Sequence, residues 1–386
     1  MGRRTNRRDG FQSVLARIEK ICESPLFEIG QSLNETVREI QRAVLHDSRL
    51  SEAALVRDVD TMLDLLPTTF GDRFRFDSAM ILATSEALRE IGLQLNPMIV
   101  PLHSKTWGHD SLPLPWNKGK KISMVDFILI PGNDEVGDIN LLSYPFIFHE
   151  IGHNLLFRYG SIFSDNFKID LDRITNKFRL SSIADRGAAR GQAQKRIELI
   201  RGYWLPSANH KNWAYELAID IVALWLCGPA YLAALHDKFD ERHVQPYYLE
   251  QEHPPNFTRL SALVDVAAEL GWSNHVRALV QLLERWKHTR WNSEMGNRNQ
   301  YVALVDSQIV NACVTSSLLA CKTLCLPLCN EDTVNRIRQE ISRGETPDFG
   351  IDVVVGAWLV HEERGEQYYG PWESSTVRDL LKYVTL

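Results

Sequence analysis

The sequence lacks several things, and each lack narrows what the chain can be. No CxxC pair occurs among its six cysteines, and structural zinc sites of the thiolate kind usually announce themselves by such pairs. Cys22 and Cys227 are isolated, while Cys313, Cys321, Cys325 and Cys329 cluster. The last three recur every fourth residue and could share a helical face until Pro327 disturbs it. A second metal site can be imagined there, but free buried thiols in a reducing compartment are the expectation. The longest apolar run, Ile221 to Leu235, is short for a bilayer and is interrupted by Gly228-Pro229. No membrane span is expected, only a buried core helix that breaks near that pair. The start has Arg3, Arg4, Arg7 and Arg8 but no apolar stretch after them, so it reads as a frayed basic terminus without a secretory signal. Asn6 stands where a myristoylation pattern needs Ser or Thr. A cytoplasmic protein is expected. Charge of one sign is also scarce: the net charge is -6 with 24% charged residues, which gives no pull toward nucleic acid.

What is present fits a globular chain. The 386 residues are 44% hydrophobic, enough for a sizeable core. Residues 1–95 read as a mostly helical N-terminal region. One apolar stripe is formed by Val14, Ile18 and Ile21, and another by Leu55, Val59, Met62, Leu63 and Leu66. Between Pro97 and Gly132 the period changes. Met98 to Val100 and Met124 to Ile130 are strand-like runs, the second closed by Pro131-Gly132. A helix signal then runs from Tyr144 to Tyr159, with Gly160 as its stop. Residues 161–210 are polar and rich in basic groups, which suits either a solvated helical hairpin or a lid over a cleft. Further amphipathic helices are expected at 213–226, 257–288, 302–326, 330–343 and 374–386.

His149-Glu150-Ile151-Gly152-His153 is an HExxH motif. On a helix, residues four apart share a face, so both imidazoles can hold one ion. Glu150 points about 100° around the helix from His149. Its carboxylate then lies beside the open position of the ion, where it can take a proton from activated water. Phe146, Ile147, Phe148, Leu155, Leu156 and Phe157 would bury this helix, and a buried helix seldom carries two His and a Glu without a partner. A catalytic zinc needs a third protein ligand. The best candidate is Glu216 in the otherwise apolar stretch WAYELAID, with His210 as its rival. Asp220, four residues on, could hold the N–H of a ligating histidine. His253 opens the run HPPNFTRL, a loop entering a helix, and Arg259 could brace that loop by pairing with a carboxylate.

The order HExxH, then ExxxD, then HPPxxxRLxxL resembles the gluzincin peptidases of the HtpX and CAAX prenyl protease type, over roughly residues 95 to 270. The lead-in DFILIPG followed by NLLSYPFIFHEIGH is also similar to theirs. The resemblance implies zinc held by His149, His153 and Glu216, Glu150 as the base, Asp220 behind a ligand, and His253 near the active site. It departs at Ile219, where the family usually has Ala, and in lacking transmembrane helices. The expected fold is therefore α+β: a zincin-like domain over 96–290, with a small, mostly antiparallel sheet on the HExxH helix, an insertion at 161–210, and a helical C-terminal region at 291–386. The expected function is a zinc metallopeptidase with one zinc per chain and a protein or peptide substrate lying along the MVDFILI strand. His253 would donate to the developing oxyanion, with Tyr215 and Tyr203 as competing donors. The alternatives are a regulatory or sensor protein that keeps the metal site, and a zinc hydrolase of a non-peptide amide.

Overall fold

A computed structural model describes residue 16 and residues 72–93, 98–102, 108–114, 123–131, 141–183, 188–205, 212–240, 244–288 and 298–384. The basic start, the apolar stripes between Val14 and Leu66, Cys22 and His210 lie outside the described residues. The chain divides into two compact units. One comprises the described residues up to Arg89, those of Leu93–Asn140, and those from Ser374 onward; the other is Glu90–Gly92 with Leu141–Glu373.

The first unit contains most of helix α1 (Asp72–Ile91) and strands β1 (Met98–Leu102), β2 (Gly108–Leu114) and β3 (Ser123–Pro131). The strand order is β1-β3-β2, with β1 parallel to β3 and β2 antiparallel to it. The MVDFILI run is thus the central strand. Both of its edges are already paired, so no substrate strand can be added there.

The second unit carries the HExxH motif, and it corrects the expected fold class. Its described residues contain no strand, so the motif sits in an all-helical body rather than in an α+β core with a sheet. The helices are α2 (Phe146–Ile183), α3 (Ala188–Trp204), α4 (Trp213–Cys227), α5 (Pro229–Phe239), α6 (Asn256–Glu269), α7 (Arg277–Lys287), α8 (Arg298–Leu304), α9 (Ser307–Thr323), α10 (Glu331–Ser342), α11 (Ile351–Arg364) and the first part of α12 (Glu366–Val384). At the centre is α4, all fifteen residues of which are buried. Apart from Glu216 and Asp220 it is largely apolar, as expected for a helix enclosed on every side, and it packs against α2, α9, α6, α5 and α11. Asn212 caps its start by accepting from the Tyr215 N–H at 3.1 Å. It ends at Cys227, and Gly228-Pro229 starts α5, the break expected from the sequence.

The HExxH helix breaks where the sequence expects it to: Tyr159 is non-helical (φ −120°, ψ 20°), and a second helical stretch runs on from this kink to Ile183. A Cβ on Gly160 would stand 3.0 Å from the Tyr215 hydroxyl. The described parts of the 161–210 segment form a helical hairpin with a solvated outer face and a buried inner one. Phe163, Phe167, Leu171, Ile174, Ile197, Ile200 and Trp204 are buried, and the Trp204 indole N–H donates to the Leu304 carbonyl at 2.9 Å. Its polar composition reflects an outer face, while the inner face is core.

Candidate metal centre

The two histidines project from α2 one turn apart, with ring centroids 5.1 Å from each other. Glu216 projects toward them from the first turn of α4. The His149 Nε2 atom is 3.6 Å from Glu216 Oε2, and His153 Nε2 is 3.7 Å from Glu216 Oε1. One donor atom from each of the three residues falls within 4.8 Å of the others, the only such group of His, Cys, Asp or Glu among the described residues. Donors bonded at 2.0–2.1 Å around a tetrahedral ion are themselves about 3.3–3.4 Å apart. The His–Glu separations lie a few tenths of an ångström above that, the three donor atoms lie within 4.8 Å of one another, and two imidazoles with a carboxylate are a donor set that suits zinc. The residues fit the group.

The far nitrogen of His149 is held as a ligand requires. His149 Nδ1 lies 3.0 Å from Asp220 Oδ1, which leaves Nε2 facing Glu216. Burial pulls the His149 pKa below its usual value, against the opposing hydrogen bond and charge of Asp220. Burial thus favours the neutral imidazole, the form that can bind a metal ion. Asp220 is itself fully buried and anchored. Arg259 donates to it twice, Nε to Oδ2 at 2.7 Å and Nη2 to Oδ1 at 2.8 Å, and the Tyr231 hydroxyl donates at 2.7 Å. Burial acts to raise the Asp220 carboxyl, but Arg259 and His149 overcome it and hold it well below the usual carboxylate range. The same pairing raises Arg259 against its own burial. So Arg259 does pair with a carboxylate, as its position in HPPNFTRL suggested, and that carboxylate is the one behind His149.

Glu150 is 7% exposed, and burial pushes its carboxyl up to about 8, with the Lys238 charge acting in the opposite direction. A divalent cation beside it would favour the ionised form. His253 sits in the turn before α6. Its Nε2 is 3.5 Å from Glu216 Oε2, and its Nδ1 is 3.2 Å from Glu250 Oε2. It reaches the site but does not join the three-residue ligand group. Of the competing donors, Tyr215 hydrogen-bonds Ser164, and Tyr203 sets its ring against Trp213 with centroids 4.7 Å apart at 54°. The cysteines form no ligand group among the described residues; Cys313, Cys321 and Cys329 are buried and free, and Cys325 is exposed.

Sequence reasoning missed Tyr231, Lys238 and Glu250. Tyr231 carries a weak signal, a polar ring tip within an apolar helix that must find a partner when buried. The other two carry none. No described helix is long and apolar enough to cross a membrane. No family profile matches this chain, and no curated protein or solved structure matches it.

Proposed function

We propose that this protein is a zinc-dependent hydrolase acting on peptide bonds in a protein or peptide substrate, and that it works in the cytoplasm. The observation that carries the reading is the convergence of His149, His153 and Glu216 from two helices, with Asp220 on the far nitrogen of His149; the buried Glu150 follows His149 in the same helix. When bound, zinc supplies a Lewis acid that acidifies water and polarises a carbonyl. His149, His153 and Glu216 hold it, one ion per chain. Asp220, fixed by Arg259 and Tyr231, sets the His149 tautomer. The Glu150 carboxylate takes a proton from the attacking water and passes it to the leaving amine. His253 donates to the oxygen on which charge develops.

Intact Glu150 favours an enzyme over a sensor, because a site that only binds metal needs no buried carboxyl next to it. The test is a proteome-wide search for new peptide termini after incubation with the zinc-loaded chain or its Glu150→Gln variant. Termini that appear only with the unaltered chain are expected. Identical termini from both would overturn the proposal.

A further inference from the structure

Asn154 is completely buried, and neither its Nδ2 nor its Oδ1 has a hydrogen-bonding partner in the protein. An amide is costly to bury unpaired, and folded proteins seldom keep one that nothing completes. Asn154 comes four residues after Glu150, and both lie in α2 before the kink at Tyr159. Residues four apart on a helix stand one above the other on the same side, with Cβ atoms about 5–6 Å apart. Helical side chains tilt toward the N-terminus, so the amide leans over the turn that carries Glu150 and Ile151. Ile151 has no polar side-chain atom to offer, whereas Glu150 has a carboxyl group. Glu150 is 7% exposed, and no hydrogen bond from the protein reaches its carboxyl group.

Two buried polar groups without protein partners thus stand one turn apart on one side of one helix. They do not meet directly. Two hydrogen bonds through one water span about 5–6 Å, and buried waters join groups that are otherwise unsatisfied. The join matters for Glu150 in particular. The last torsion of a glutamate is soft, so an unsupported carboxyl group turns freely, while a general base must present one oxygen in a fixed direction. A water on one oxygen leaves the other for the reaction.

We infer that Asn154 is the positioning residue for Glu150, its amide holding one internal water that bridges to the Glu150 carboxyl group and fixes its direction. The role in turnover rests on the hydrolase reading above; the bridge does not. The bridge is tested on the metal-free full chain by a double-variant cycle in chemical denaturation. With Glu150 present, Asn154→Leu should lower the denaturation midpoint, because it strands the carboxyl group. In a Glu150→Leu background the same change should raise it, because the amide there has nothing to join. Asn154→Ala, taken through the same cycle, covers the case in which leucine does not fit. Effects that simply add in the cycle would overturn the bridge and the positioning role together. On a substrate from the cleavage search, Asn154→Leu should lower kcat by roughly 10- to 100-fold, as losses behind a metal centre usually do, with KM and zinc content unchanged. Asn154→Ser, which keeps a donor and leaves room for water, should recover most of that loss. A coupled cycle with unchanged kcat would overturn the positioning role alone. A coupled cycle in a chain that cleaves nothing would overturn the hydrolase reading and leave the bridge standing.

Discussion

Gly152 faces Ile219 where the two helices that build the centre pack together. A Cβ on Gly152 would stand 2.9 Å from Ile219 Cγ2 and 3.3 Å from Ile219 Cα. Gly152 adjoins His153, and Ile219 lies three residues after Glu216, so this contact sets the gap that the ligands bridge. The side chain that departs from the expected alanine is thus accommodated by a glycine opposite it. Gly152→Ala should destabilise the fold by about 1–3 kcal/mol through overpacking and weaken zinc binding. Adding Ile219→Ala should restore much of both. Thermal melts and a zinc titration of the single and double variants check this; a single variant that behaves normally would show that the contact is not limiting.

The parts of the site that lie within one helix were legible in the sequence. HExxH places two rings on one face, and Glu216 with Asp220 repeats the same spacing on an apolar background, where buried carboxylates demand partners. Contacts between distant segments were not legible. Asp220 meets Arg259 from 39 residues away, and no periodicity predicts that pairing. The fold class was misread because the strand-like runs before the motif are real strands of the other unit. The helix Ile351–Arg364 is missing from the expected helices; it is buried from Ile351 to Val360, and a helix enclosed on all sides loses its period.

Removing one partner of a buried ion pair leaves the other uncompensated. Asp220→Ala should therefore cost roughly 3–5 kcal/mol of stability, in addition to loosening His149. Chemical denaturation of the metal-free protein measures it. Because the Asp220 carboxyl is held below its ordinary value of 3.8, its stabilising contribution is complete above that pH. It is lost only as the pH falls further, through the depressed value. A variant as stable as the unaltered chain would mean that the Arg259 pairing contributes nothing.

The α2–α3 hairpin should behave as core. Trp204→Ala is expected to cost roughly 3–5 kcal/mol, because the ring is fully buried against Phe167 and Trp213. Deleting residues 165–205 should leave a chain that does not fold, as judged by circular dichroism and proteolysis. A deletion variant that keeps its fold and changes only turnover would reinstate the segment as a lid.

His253→Ala should lower kcat by about 100- to 1000-fold on any substrate the cleavage search identifies, the usual loss for one oxyanion donor. Zinc content and melting temperature should not change, since His253 stands outside the ligand group. Loss of zinc instead would assign it to holding Glu216, 3.5 Å away.

The account depends most on His149, His153 and Glu216 holding a metal, and metal analysis of the purified chain tests that directly. About one zinc per chain is expected, falling to background when His149 and His153 are both changed to Ala while the fold persists. Stoichiometric, tightly held zinc in that double variant would contradict the account and place the ion elsewhere in the chain.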